Sequence, residues 1–170
     1  MGTHVAGEHV VAIETARLRR IAGDASQIGV QYYYRAPSYG RSLSTASTQT
    51  FTNTGRSIKP LSAASVEIER DGSNNASITV YRRTRKRHRF LAPGIQPPLG
   101  ETVEAYEADV YSDGTYTTVV RTLSALGTNV LTYSAANQSS DGLTPGDTLY
   151  LAVYQMSTVI GRGIEKRISA

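Results

Sequence analysis

From about Ser62 to the C-terminus, apolar and polar residues alternate with a period of two, and turn-forming residues interrupt the alternation at short intervals. Ser65 to Glu69 alternates, for example, and then meets the run Asp-Gly-Ser-Asn-Asn, which is typical of a hairpin loop. The pattern predicts about seven strands, at 65–69, 76–83, 106–110, 116–123, 130–133, 147–157 and 164–168. Strands at this spacing predict an all-β chain whose C-terminal part is an antiparallel β-sandwich of the fibronectin type III or immunoglobulin kind.

The alternation also predicts which side chains share a face. Ile78 and Val80 lie in one phase of the second strand, and Thr79 and Tyr81 lie in the other. In the third strand, Glu107 and Asp109 fall in the opposite phase from the apolar residues. Charged residues in that phase of a half-buried strand normally face solvent. We therefore expect both carboxylates to point into water.

The first 61 residues carry a weaker β signal. Residues 8–21 can be drawn as a helix, but flanking glycines favour a strand pair at 10–13 and 17–21. Residues 28–36 and 49–53 are also β-leaning by composition. The sequence thus predicts a small β-rich N-terminal segment before the sandwich. The expected boundaries are 1–56 for this segment, 57–61 for a linker and 62–170 for the sandwich.

Several classes of function are disfavoured by what the sequence lacks. The chain contains no cysteine, which excludes disulfides, thiolate zinc sites and cysteine nucleophiles. His4, His9 and His88 do not have metal-ligand spacing, and no nucleotide-binding or hydrolase motif occurs. We expect no metal and no cofactor. We also expect no membrane insertion, because no apolar run approaches the roughly 20 residues of a spanning helix.

A group of acidic residues raises the question of catalysis. Glu101, Glu104, Glu107 and Asp109 lie close in sequence and leave open a carbohydrate-processing enzyme with a general acid/base pair. Such a pair is defined by its geometry and not by the number of carboxylates. We expect the chain not to be an enzyme.

The densest charged feature is the run RRTRKRHR at 82–89, which holds six of the 18 basic residues and no acidic one. One interpretation is a phosphate-binding loop for nucleic acid or an anionic cell-surface glycan. The other is a solvated loop that docks on an acidic partner, or that pairs Arg82 and Arg83 with Glu107 and Asp109 on the neighbouring strand. We favour the second, because charge runs are usually solvated. The candidate binding residues are Arg82, Arg83, Arg85, Lys86, Arg87 and Arg89, together with Tyr32, Tyr33 and Tyr34 of the N-terminal segment.

Three stretches, in order along the chain, resemble the C-terminal part of phage tail-tip host-specificity proteins and the related hub proteins of gene transfer agents. The first is TFTNTGRSIKPLS at 50–62. The second comprises RDGS at 70–73, ITVYRRTR at 78–85, PLGE at 98–101 and EAYE at 104–107, and the third comprises LAVYQMS at 151–157 and VIGRG at 159–163. The segment at 34–40 is similar to the part that precedes the linker in that family.

The resemblance implies a virion structural protein of the phage tail tip or baseplate, with a fibronectin-like domain and no catalytic residues. It implies assembly with other tail or baseplate proteins and contact with a host cell-surface receptor or glycan, whereas nucleic acid is not an expected partner. We also expect a homo-oligomer, because a small chain with an irregular first third often needs partner surface for burial. The chain departs from the family at Val80, where relatives usually carry tryptophan. The missing volume is then expected from Tyr81 and Tyr106.

Overall fold

The structure is a computed structural model that describes residues 24–86 and 95–170. The chain forms two compact units, Met1–Asn53 and Thr54–Ala170. The strands predicted at 10–13 and 17–21 lie outside the described residues.

In the first unit, strands β1 (Gln31–Tyr34) and β2 (Gln49–Thr52) pair antiparallel, with Tyr32 opposite Phe51. One 3-10 turn, Ala25–Gln27, precedes β1, and a second, Leu43–Thr45, lies between the two strands. Each turn begins where a side-chain oxygen of the preceding residue accepts a hydrogen bond from a backbone amide. The β-leaning character predicted for 28–36 and 49–53 is confirmed.

The second unit contains eight further strands and one short helix in its described residues. The strands are β3 (Ser65–Arg70), β4 (Ala76–Tyr81), β5 (Ala105–Tyr111), β6 (Val119–Leu126), β7 (Val130–Tyr133), β8 (Tyr150–Ser157), β9 (Gly161–Arg162) and β10 (Lys166–Ser169), and the helix α1 (Ala135–Ser140) follows β7. Two sheets result, with the strand orders β3-β4-β7 and β10-β8-β5-β6, and β9 forms a short hairpin with β8. All paired strands are antiparallel. This is a fibronectin type III/immunoglobulin-like sandwich, which confirms the predicted fold class.

The core lies between the two sheets and is built from alternate residues of their strands. Ile78 and Val80 of β4 are fully buried, as their shared phase predicts. Burial of each such side chain contributes about 1.5–3 kcal/mol. Tyr106 of β5 and Tyr133 of β7 are the largest fully buried side chains among the described residues. Two tyrosines therefore supply the aromatic volume of this core.

The expectation that Tyr81 and Tyr106 fill the core around Val80 is half right. Tyr106 is buried in the same core cluster as Val80. Tyr81 is not, because the alternation of β4 places it on the other face, where its hydroxyl donates a hydrogen bond to Glu67 at 2.8 Å. The expectation for Tyr81 is therefore wrong.

Two local features differ from the sequence prediction. Strand β6 begins at Val119 and not near Tyr116, because Asp113 accepts the backbone amide of Thr115 in a tight turn and Tyr116 has a φ of 55°. Helix α1 was not predicted; it begins at its cap Ser134. Neither α1 nor any other helix in the described parts of the chain has the length and apolar content that a membrane crossing requires.

Candidate functional site

The connection between β4 and β5 leaves the end of the sandwich at which β3 begins, and its two stems are tied together by side chains. Arg82 follows β4 directly, and its guanidinium donates to the Pro97 carbonyl at 2.6 Å and to Glu104 Oε1 at 2.7 Å. The Gln96 side chain accepts from the Arg82 backbone amide at 2.9 Å and donates to the Val80 carbonyl at 3.1 Å. Arg82 is thus a half-buried structural residue.

A second ion pair lies further along the same connection. Arg85 Nη2 donates to Glu101 Oε1 at 2.6 Å, and Nη1 donates to the Ser57 carbonyl at 3.3 Å. Gly100 lies against Thr84, since a Cβ at Gly100 would be 3.1 Å from the Thr84 hydroxyl. We call the two ion pairs Arg82–Glu104 and Arg85–Glu101 the loop clamp. It joins the outgoing stem, 82–85, to the returning stem, 96–104.

Arg83 is placed differently from both clamp arginines. Its backbone amide donates to Gln155 Oε1 at 3.1 Å, which fixes the main chain on β8. Its side chain is exposed and has no hydrogen-bond or ion-pair partner among the described residues. Lys86 is also exposed, and its backbone amide donates to Thr84. Arg87, His88 and Arg89 lie outside the described residues.

The turn at 55–61 brings further positive charge to the same place. It closes where the amides of Ile58 and Lys59 donate to the Gly55 carbonyl at 2.9 and 3.1 Å. Its far end is fixed to the sandwich, because Pro60 is buried and its carbonyl accepts from Ile164 at 3.0 Å.

This turn contacts the stem of the β4–β5 connection through its backbone. The Ser57 carbonyl accepts from Arg85, and Pro60 shares a surface depression with residues 82–85. Arg56 and Lys59 belong to this turn and are the sequence neighbours of Ser57 and Pro60, although neither was a candidate from sequence. We call Arg56, Lys59, Arg83, Arg85 and Lys86 the basic cluster. In the sequence, Arg56 stands 26 residues before Arg82, so only the tertiary contact reveals the cluster.

The carboxylates of β5 are not free to act as an acid/base pair. Arg162 of β9 donates to Glu107 at 2.7 Å and to both oxygens of Asp109 at 2.5 and 2.9 Å. The expectation that both carboxylates face water is wrong for Asp109, which is 5% exposed. The expected pairing of Arg82 and Arg83 with these carboxylates is also wrong, because Arg162 occupies them.

Asp109 is held ionised by its surroundings. Burial alone would raise the pKa of its carboxyl, but the hydrogen bonds from Arg162 and from Thr122 Oγ1, at 2.7 Å, outweigh burial and leave the pKa below its usual value. Asp109 and Glu107 in turn raise the pKa of Arg162, whose guanidinium also lies 4.6 Å from the centre of the Tyr154 ring. A general acid needs the opposite shift.

The tyrosine triplet of β1 does not present a single aromatic surface. Tyr32 and Tyr34 share one face, with ring centres 6.2 Å apart, and both are half-buried. Tyr33 points to the other face, is 68% exposed, and donates its hydroxyl hydrogen bond to Gln31 at 3.0 Å. Tyr33 is therefore the member most open to a partner.

The described residues contain no group of three metal-ligating side chains. The candidate histidines, His4, His9 and His88, lie outside the described residues.

Comparison with known proteins adds a distant likeness. No protein-family model and no curated protein matches the chain. Among solved structures, the extracellular region of rat CD45, domains d3–d4, is similar with 12% sequence identity and a TM-score of 0.44, over 100% of this chain and 78% of that chain. The fold assignment rests on the strand order and pairing of the chain itself.

Proposed function

We propose that the chain is a non-catalytic structural and binding module of a phage or phage-like tail tip, located in the virion. In this role it assembles with other tail or baseplate proteins, as a homo-oligomer, and contributes to adhesion at the host surface. The three stretches of sequence that resemble tail-tip proteins support the tail assignment, and the fibronectin-like sandwich is the domain that this resemblance implies.

The observation that carries the non-catalytic part is the pairing of the carboxylates. Three of the four candidates for acid/base chemistry, Glu101, Glu104 and Asp109, each accept a hydrogen bond from an arginine at 2.5–2.9 Å. The pKa of Asp109 is lowered by its hydrogen bonds from Arg162 and Thr122, which outweigh its burial, so Asp109 is poorly suited to donate a proton. The arrangement fits a structural role for all three.

The proposed binding role is supported by the β4–β5 connection, which has fixed stems and exposed basic side chains. The clamp fixes its stems on a rigid sandwich, while the exposed side chains of Arg83 and Lys86 lie next to the described end of the outgoing stem. Recognition is commonly carried by loops that a rigid scaffold positions. Tyr33, exposed on the two-stranded sheet, is a second contact candidate.

Immunogold electron microscopy tests the tail assignment. Antibodies raised against the purified chain are applied to phage or phage-like particles from cells that express it, with an antibody against the capsid as the matched control. We expect gold at the distal end of the tail. Labelled capsids, or particles that carry no label while the free chain is abundant in the lysate, would contradict the assignment.

A further inference from the structure

We infer that the basic cluster is a binding site for the sulfate or phosphate groups of a polyanionic glycan. The inference deepens the proposed adhesion role and rests on it for its biological setting. Its new element is that the turn at 55–61, and not the arginine run alone, forms the site.

Most described arginines of the second unit are already engaged. Arg82, Arg85, Arg121, Arg162 and Arg167 each lie within 3.1 Å of a carboxylate oxygen, and Arg70 donates to Gln138 and to the Asp147 carbonyl. By contrast, the side chains of Arg56, Lys59 and Arg83 have no hydrogen-bond or ion-pair partner among the described residues. Three cations without a side-chain partner among the described residues thus lie in two segments that are in contact through Ser57 and Arg85.

The charge surplus is local. The basic cluster and Arg82 together contribute six cations. The loop clamp contributes two carboxylates, Glu101 and Glu104. These residues are six of the 18 basic and two of the 14 acidic residues of the sequence, which leaves twelve basic against twelve acidic residues elsewhere. An anionic ligand would therefore be attracted to this end of the sandwich and not to the chain as a whole.

The backbone under the cluster is fixed, which lowers the entropy cost of binding. The amide of Arg83 is bound to Gln155 on β8, and the Gln155 side chain also donates to the Leu61 carbonyl. One buried glutamine on β8 thus holds both the outgoing stem and the end of the turn. The cations belong to two segments that share this anchor.

The chemistry of the cluster favours a glycan over a nucleic acid. Proteins that bind single-stranded nucleic acid combine cations with exposed aromatic rings, on which each base stacks with about 1–3 kcal/mol. The exposed large apolar residues of the second unit, in its described part, include no aromatic side chain. Sulfate and phosphate groups need only cationic hydrogen-bond donors, which arginine and lysine supply.

The test measures binding of the full chain to dextran sulfate, with neutral dextran and a single-stranded oligonucleotide as comparison ligands. The site variant is the double substitution Arg56→Gln with Arg83→Gln. The matched control is Arg41→Gln with Lys166→Gln, which removes two charges whose side chains also lack partners among the described residues. Because none of these side chains holds the fold, we expect both variants to melt like the wild type.

We expect the wild type to bind dextran sulfate and not dextran. The site variant should bind about 25-fold more weakly at low salt, since each basic residue near an anionic surface contributes about a factor of five. Its logarithmic salt dependence should fall by about two, one for each cation removed. The control variant should keep the wild-type affinity to within about twofold. If net charge alone attracted the ligand, the site variant and the control variant would lose affinity equally.

Three results would overturn the inference: no binding of dextran sulfate by the wild type, equal losses in the two double variants, or tighter binding of the oligonucleotide than of dextran sulfate at matched charge. The outcome is separable from the tail assignment. Gold at the tail tip without dextran sulfate binding would refute the glycan site and leave the tail role standing, whereas site-dependent binding without gold would do the reverse.

Discussion

Replacing Asp109 with asparagine tests the ion-pair network of β5 and β9 directly. Asp109 is the one buried charged residue in the described part of the chain. The wild-type carboxylate accepts two hydrogen bonds from Arg162 and one from Thr122. Asparagine keeps the shape, but it has one oxygen, so its NH2 group must face either an arginine or a hydroxyl donor.

The expected cost follows from the exposure of the partners. A hydrogen bond to a charged group contributes about 1.5–3 kcal/mol, and the variant loses or weakens two of them. The Arg162 side chain is 37% exposed and keeps Glu107, so water and the second carboxylate recover part of the loss. We expect a destabilisation of about 2–3 kcal/mol at pH 7, less than the 3–5 kcal/mol typical of a fully buried broken pair.

The matched control is Glu107→Gln, which removes the more exposed partner of the same arginine. An exposed ion pair contributes about 0–1 kcal/mol, so its cost should be well below that of Asp109→Asn. Both are measured by urea unfolding with tyrosine fluorescence, since the chain has 11 tyrosines and no tryptophan.

The pH dependence gives a second readout. Because the folded pKa of Asp109 lies below its unfolded value, its contribution is fully present above about pH 4 and is lost as the pH falls through the folded pKa. The difference between wild type and variant should therefore shrink in acid. A cost no larger than that of Glu107→Gln at pH 7, or a difference that stays constant down to pH 2.5, would refute the reasoning.

Three further substitutions probe other contacts. Gly163→Ala would place a Cβ 2.8 Å from backbone oxygens of two other segments, so we expect a loss of about 1–3 kcal/mol in unfolding experiments, while Gly72→Ala, where nothing lies within 4 Å, should be nearly neutral. Gln138→Leu leaves two carbonyls in a buried site without their amide donor and should cost about 2–3 kcal/mol by thermal melting. Burial, together with the hydrogen bond to Glu104, raises the pKa of Tyr106 to about 12. Its neutral hydroxyl therefore contributes fully to the stability of the fold below pH 10, and we expect this contribution to be lost as the pH rises towards 12. Urea midpoints that fall equally over this range in Tyr106→Phe and wild type would contradict that assignment.

The sandwich was predictable because its strands obey a simple rule. Alternation places Ile78 and Val80 on one face of β4, and a two-layer fold must bury such a face. Asp109 shows where the rule stops. Its phase predicts solvent, but Arg162 lies 53 residues away in sequence and covers it. A period-two pattern does not indicate which side chain, distant in sequence, will cover the outer face of a strand.

The candidate site was likewise predictable only in part from the sequence. The run at 82–89 is visible as composition, but sequence does not distinguish Arg82, which is paired with Glu104, from Arg83, whose side chain has no partner in the described part of the chain. Arg56 and Lys59 escape notice because they belong to a different segment, which the fold places beside the run. A charge run in the sequence predicts the sign of the local charge, but tertiary contacts decide which other residues join it on the surface.

The loop clamp has a consequence for how such a module can diversify. Its two arginine–glutamate bridges close the base of the β4–β5 connection, so the sandwich meets the same four side chains whatever sequence is inserted beyond them. Changes of length or content between Lys86 and Ile95 would thus be insulated from the hydrophobic layers. Evolution could therefore change the binding partner of this segment without changing the stability of the sandwich.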